Sequence, residues 1–301
     1  MKRILKYFFV AFFCSVILYA CEQGAGSKRN LLIITDIGTD VDDMEALCLA
    51  AKSDVNLIGI ACTPNHSKKM VREASHVMDL LNRDVPVGTG KVFIDSVITS
   101  AKGSVKVLLI APATDLVAAI EDDYSVAEKI DSIFFQGQVF VNSEGNLIIP
   151  NLEAYNVSQD YRSAQKLFGF QHKIPFTIVG KYAAYSIPIK KSTFEKYAKN
   201  GDPAGIYLRD AAVNGINNFA HERPQVFRSV YNVPADMPVD SALAVMKYIS
   251  NPYDAAVLIS MLRPDLFIPT KVGIHSLIGT EKGNIGIKDS DAIDRLLFDL
   301  F

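Results

Sequence analysis

Residues Leu31–Leu47 read LLIITDIGTDVDDMEAL. The opening run, Leu31–Thr35, is apolar without the polar alternation of a half-exposed strand, so it predicts a strand buried on both faces. Four aspartates follow within eight positions: Asp36, Asp40, Asp42 and Asp43. Asp42–Ser53 predicts a helix, with Met44, Leu47, Ala50 and Ala51 near helical spacing. One or two acids in the first turn of a helix are favoured by its dipole. Four crowded carboxylates are not explained that way, and they call for a bound cation.

Outward from this stretch, strand and helix alternate. VNLIGIAC (55–62) is a strand, and HSKKMVREASHVMDLLNR (66–83) carries a long amphipathic helix. VKVLLIAPATDLVAAI (105–120) is strand, turn and helix; DSIFFQG (131–137) is a strand. SQDYRSAQKLFG (158–169) is a helix and PFTIVG (175–180) another strand. Continuous apolar strands alternating with helices predict an α/β fold with a mostly parallel central sheet covered by helices on both faces. From Lys190 to about Ser250 the pattern is helical without a clear strand, which predicts a helical insertion over the open end of the sheet. NPYDAAVLISMLRPDLF (251–267) and Asp289–Phe301 supply further helices. The organisation expected is one domain over 31–301.

The first twenty residues read differently. Lys2, Arg3 and Lys6 precede YFFVAFFCSVIL (7–18), an uncharged run shorter than the roughly 20 residues that span a bilayer. This is a secretory signal pattern over 1–20. Its end, LYAC (18–21), resembles the lipobox of bacterial lipoproteins, which implies cleavage before Cys21, acylation of the Cys21 thiol and a flexible tether, CEQGAGSKRN (21–30). The implied location is the bacterial cell envelope, periplasmic or outer-membrane, with Glu22 after the cysteine leaning towards the outer membrane, and with membrane contact through the lipid anchor alone. The whole chain of 301 residues has a formal charge of −2, which falls to about −5 without Lys2, Arg3 and Lys6. No basic stripe marks a nucleic-acid partner. Cys48 and Cys62 sit in apolar surroundings and read as core thiols rather than a disulfide or metal pair. The sequence is compatible with a homo-oligomer and does not specify one.

In open α/β sheets, ligands bind beyond the carboxyl ends of the strands. The polar residues placed there are Asp36, Asp40, Asp42 and Asp43, then Asn65, Thr114, Gln136 and Asn156, and Asp254 before a late helix. The set is rich in oxygen and poor in His and Cys, which suits Ca²⁺ or, less well, Mg²⁺ rather than Zn²⁺.

These residues carry a resemblance. TDIGTDVDDMEAL, the Asn65 segment, LLIAPATDLVAAI, EGNLIIPNLEAYNVSQD and NPYDAAVLISML resemble, in order, the motifs of the inosine–uridine-preferring nucleoside hydrolase family, in a long-loop form. The resemblance implies a Ca²⁺ held by Asp36, Asp43, the Thr114 carbonyl and Asp254, with Asp40 as an additional candidate ligand able to take the place of Asp42 or Asp43. It implies Asp42 as the base that takes a proton from a water. Asn65 and Asn156 would hold ribose hydroxyls, with Gln136 and Tyr253 also on the substrate, and the Asn156 amide oxygen would help steady a developing cation. The chain departs from the family at several points. Five residues separate Asp36 from Asp42 where the family has three, and Ile34 stands where the family has its first Asp. Ala154-Tyr155-Asn156 replaces Glu-Phe-Asn, Asp115 replaces an Asn, and Tyr253 occupies the place of a His that protonates the leaving base.

The implied activity is Ca²⁺-dependent hydrolysis of the N-glycosidic bond of a nucleoside-like substrate. Such cleavage builds an oxocarbenium-like cation that surrounding oxygens stabilise. Two alternatives stay open: a Ca²⁺-dependent protein that binds a ribosyl ligand, as a catalytically impaired homologue would, and a hydrolase of a non-nucleoside glycosyl compound.

Overall fold

The structure, a computed structural model, describes residues 29–38, 41–64, 67–150 and 152–301. The signal peptide, most of the tether with Cys21, and the site residues Asp40 and Asn65 lie outside the described residues. In chain order the strands are β1 (Asn30–Thr35), β2 (Asn56–Cys62), β3 (Val87–Thr89), β4 (Val105–Ile110), β5 (Ile130–Gln136), β6 (Val139–Val141), β7 (Leu147–Pro150), β8 (Phe176–Val179), β9 (Ile189–Lys190), β10 (Tyr248–Ser250), β11 (Thr270–Val272) and β12 (His275–Ile278). The helices are α1 (Asp42–Lys52), α2 (Lys68–Leu80), α3 (Gly90–Ser100), α4 (Thr114–Asp122), α5 (Ser125–Lys129), α6 (Tyr155–Gln159), α7 (Tyr161–Phe168), α8 (Lys181–Ala184), α9 (Lys191–Lys199), α10 (Pro203–Glu222), α11 (Pro224–Tyr231), α12 (Val239–Val245), α13 (Tyr253–Leu262) and α14 (Ser290–Phe298).

Eight strands form one sheet in the order β11-β12-β8-β5-β4-β1-β2-β3. Every neighbouring pair is parallel except β11 with β12. The expected mostly parallel α/β fold is therefore the observed one. β1 lies inside the sheet between β2 and β4, and its side chains alternate between two cores. Leu31 and Ile33 pack into the layer that holds α1 and α13; Leu32 and Ile34 pack into the opposite layer, with Ile94 of α3 and Leu116 of α4. Both faces are covered, which is why the run carries no polar alternation.

The order of strands places the site. From β1 the chain moves to β2 and β3 on one side, then returns to β4, β5 and β8 on the other. The connection after β1 leads to one face of the sheet and the connection after β4 to the other, opening a crevice at this switch point.

The expected helical insertion is present as α9–α12, and it has a base that the sequence reading did not contain. β9 and β10 pair antiparallel and join the two ends of the insertion. Strands of two or three residues are too short to show a period of two. Cys48 and Cys62 are buried free thiols, and burial pushes the Cys62 thiol up to about 12. Among the described residues no helix is long and apolar enough to cross a membrane.

At the carboxyl end of β8 the backbone runs close to the chain beyond β12. Gly180 donates its N–H to the Ile278 carbonyl at 2.8 Å, and a Cβ there would stand 2.4 Å from the Gly279 carbonyl oxygen. Backbone meets backbone, so no side-chain rotation relieves it. Gly180→Ala is expected to lower stability by about 1–3 kcal/mol, measured as a reduced urea midpoint; an unchanged midpoint would refute this close approach.

Candidate metal and ligand site

Asp42 and Asp43 open α1, so both carboxylates stand at the positive end of the helix dipole. Val41 at the N-cap position provides no side-chain cap. Asp254 stands in the first turn of α13, and α13 packs beside α1, so the starts of two helices meet over the end of β1. Asp42, Asp43 and Asp254 are all buried, and each offers a carboxylate oxygen within 4.8 Å of the others. Thr35, the last residue of β1, is fully buried; it donates its hydroxyl to Asp43 Oδ1 and accepts the Ile37 N–H at 3.2 Å. That contact fixes the rotamer of Asp43 from the strand itself.

Of the aspartates the sequence analysis assigned to metal binding or base catalysis, these three converge. Asp36 lies half-buried beyond β1 and is not a member of the three-carboxylate group. Ile34 is fully buried in the apolar layer, so the position of the family's first aspartate is here a core position. Thr114 begins α4 and donates its hydroxyl to Asp160 Oδ2 at 2.7 Å. Its hydroxyl is thereby engaged, and its carbonyl is the atom proposed for the ion. Asp160 also caps α7 by accepting the Ser163 N–H. Burial alone would raise the Asp160 pKa, but the bonds from Ser163 and Thr114 hold it below the usual range.

Gln136 and Asn156, predicted separately, touch: Asn156 Nδ2 donates to Gln136 Oε1 at 3.0 Å. Asn156 is buried at the start of α6, and Gln136 ends β5. The pair locks the orientation of the Asn156 amide.

Tyr253 precedes Asp254 on α13, and its ring stands edge-on to Tyr185 with centroids 5.3 Å apart. Its pKa is raised far above the ordinary 10 by burial, by a hydrogen bond with Tyr185 and by the nearby charges of Tyr185 and Asp42. A phenol that holds its proton this firmly can donate a hydrogen bond but is a poor acid.

Two residues of this region escaped the sequence reading. Thr35 left no signal beyond a threonine at a strand end. Glu45, one turn after Asp42, looked like a third first-turn acid, yet it is fully buried and its Oε2 has no hydrogen-bond partner. The Tyr197 hydroxyl donates to the Leu297 carbonyl at 2.7 Å and lies 3.3 Å from Glu45 Oε1 as a weaker, shared donor. Burial, with the charge of Asp42 next, pushes Glu45 up to about 8. A cavity of about 420 Å³ lined by Arg29, Lys106, Lys271 and Phe267 lies elsewhere, towards the amino ends of the strands, and takes no part in this site.

No protein-family model and no curated protein matches the sequence. Solved structures do. The effector protein XOO4466 superposes with a TM-score of 0.79 at 20% identity, over 91% of this chain and 93% of that one. The type III effector XopQ, solved in complex with adenosine diphosphate ribose, gives 0.78 at 21%, over 91% and 94%. The plant nucleoside hydrolase PpNRh1 gives 0.66 at 16%, over 91% and 99%. The chain has the nucleoside hydrolase-like fold. At these identities the likeness is one of fold.

Glu45 gives the site a pH signature. Between about pH 4.5 and 8 the folded protein keeps a proton that the unfolded chain has released, so stability falls as pH rises through that window. Glu45→Gln should remove this slope and gain most over the parent at pH 8. Urea unfolding at pH 5 and pH 8, with a chelator present, checks it; equal slopes for the two proteins would show that Glu45 is not held neutral.

Proposed function

We propose that this chain is a metal-dependent N-ribohydrolase that splits a nucleoside-like substrate into ribose and a base. The observation that carries this reading is the buried group Asp42–Asp43–Asp254 at the switch point of a nucleoside hydrolase-like sheet. Three oxygen donors within 4.8 Å fit around one hard cation, being no farther apart than twice a Ca–O distance of roughly 2.3–2.6 Å. Asp43 and Asp254 would hold it with Asp42 beside them, the Thr114 carbonyl and Asp36 being the further ligands that the resemblance implies, and Ca²⁺ is preferred to Mg²⁺ because the donors come from several elements and need not form a strict octahedron. When bound, such a cation lowers the pKa of a water and fixes neighbouring ribose hydroxyls.

The chain's own groups then do the following. Thr35 keeps Asp43 in place. Asp42 accepts the proton of the water as its oxygen bonds to the anomeric carbon, and the bond to the base nitrogen breaks with its electron pair staying on the base. Asn156, oriented by Gln136, holds a ribose hydroxyl and turns its amide oxygen to the developing cation. Asn65 would act on the same ring. Tyr253 lines the leaving-group side and donates a hydrogen bond without giving up its proton.

A second reading is capture of a ribosyl ligand without turnover. It is favoured by the firmly held proton of Tyr253 and by the similarity to XopQ, whose structure contains adenosine diphosphate ribose. Incubating the chain from Cys21 onward, with Cys21 replaced by Ser, with a panel of ribosides separates the two. Hydrolysis predicts ribose release that needs added Ca²⁺, stops with chelator and falls about 10²–10⁴-fold in Asp42→Asn. Tight binding with no release from any riboside would leave only the second reading.

We propose also that Cys21 is acylated and anchors the protein in the bacterial cell envelope. Cys21→Ala should move the protein from the membrane fraction to the soluble one and abolish labelling by a fatty-acid analogue. A variant that is processed and still sediments with membranes would rule the anchor out.

A further inference from the structure

We propose that Lys181 is a phosphate-recognition residue at the rim of this site, so that the ligands are ribosyl compounds carrying a phosphate or diphosphate rather than free nucleosides. The inference rests on the ribosyl reading above and names the class within it.

Its basis is where the fold puts one ammonium group. At the carboxyl end of the sheet, Val179 of β8 is in register with Gln136 of β5. Gly180 follows, and then Lys181 opens α8. Lys181 is therefore two residues from the strand position that neighbours Gln136, the residue that orients Asn156. Its Nζ bonds Glu153 Oε2, and Glu153 lies three residues before Asn156. The ion pair thus bridges the two segments that flank the Gln136–Asn156 pair.

The other side of α8 leads back to the acids. The Tyr185 N–H donates to the Lys181 carbonyl at 2.9 Å, so the two residues stand one helical turn apart and share a face of the turn. Tyr185 packs edge-on against Tyr253, the neighbour of Asp254. Lys181 is thus linked to the carboxylate group in steps, through Tyr185, Tyr253 and Asp254.

The energetics favour exchange of partners. The Lys181 side chain is 28% exposed, and that of Glu153 is 59% exposed. An ion pair so open to water contributes little stability, so releasing Glu153 costs little. A phosphate offers up to two charges and three acceptor oxygens to the same ammonium. A lysine suits this task as a mobile point charge. The need is also local: buried carboxylates repel an anionic ligand, and a phosphorylated riboside requires a cation on the rim. With its ring hydroxyls at the acids, such a ligand has an exocyclic arm that extends outward to that rim. Glu153 then acts as a stand-in for the phosphate, keeping Lys181 placed when no ligand is bound.

The test is calorimetric binding to the full chain with Ca²⁺, using ribose against ribose 5-phosphate and adenosine against adenosine 5′-phosphate. The expected result is a preference of about tenfold or more for each phosphorylated member, the size of one charge-assisted hydrogen bond. Lys181→Met should collapse that ratio towards one, Lys181→Arg should restore most of it, and Glu153→Gln should enlarge it by freeing the ammonium. The preference of the parent should shrink with rising salt. A parent that binds both members equally, or a preference that survives Lys181→Met, overturns the inference while leaving the ribosyl reading intact. Failure of the parent to bind or cleave any of the four overturns both.

Discussion

Three carboxylates buried within 4.8 Å of one another set the terms for the rest of this molecule. At an effective dielectric of about 20, each ionised pair at that separation repels by about 3 kcal/mol. The two helix starts that meet there offset typically 0.3–1 kcal/mol per charge, and Thr35 supplies one hydrogen bond to Asp43. The helix starts and the threonine place the acids, an arrangement able to hold a divalent cation. The architecture builds that arrangement. A central strand buried on both faces fixes Thr35; α13 beside α1 brings Asp254 to the same point; and the reversal of strand order leaves room for a ligand above them.

Much of this could be read from the chain, because the elements that build it carry long, regular patterns. LLIIT announces a doubly covered strand, and Met44, Leu47, Ala50 and Ala51 announce the helix that follows. The convergence of Asp42, Asp43 and Asp254 was also legible, since a carboxylate after a parallel strand and another at a helix start are both directed to the carboxyl ends of the sheet. What escaped was short or depended on partners remote in sequence. The β6–β7 hairpin, the β9–β10 pair and the antiparallel β11–β12 edge consist of strands of two to four residues. α3 begins directly at the end of β3, with Gly90 at positive φ, so no loop signal separates the two. Glu45 looks like any first-turn acid until Tyr197, 152 positions away, closes over it.

Ile34 and Thr35 show how the central strand sorts apolar from polar side chains. A strand alternates its side chains between faces, so Ile34 falls into the apolar layer with Leu32, and Thr35 falls on the side of α1. A carboxylate at 34 would add a charge among Leu32, Leu109 and Leu116, at the cost of burying it unpaired. The threonine one position later is neutral and adds nothing to the repulsion, yet its hydroxyl still fixes Asp43.

The distribution of protons around the site is asymmetric, and it bears on chemistry. Asp42 stands at the start of α1, with the proton of Glu45 one turn below it in a pocket that Tyr197 closes. Beside Asp254 stands Tyr253, whose proton is held by burial and by its contact with Tyr185. A carboxylate beside a cation-bound water can be made basic enough to activate it, whereas a tyrosine with a raised pKa cannot protonate a departing base at neutral pH. Under the proposed N-ribohydrolase reading, bond breaking would depend on stabilising the oxocarbenium ion and on a base that leaves without strong acid assistance. In that reading the burden falls on the oxygens of Asp42, Asp43, Asn156 and Asp254, and three of these four residues form the carboxylate group that the two helix starts draw together.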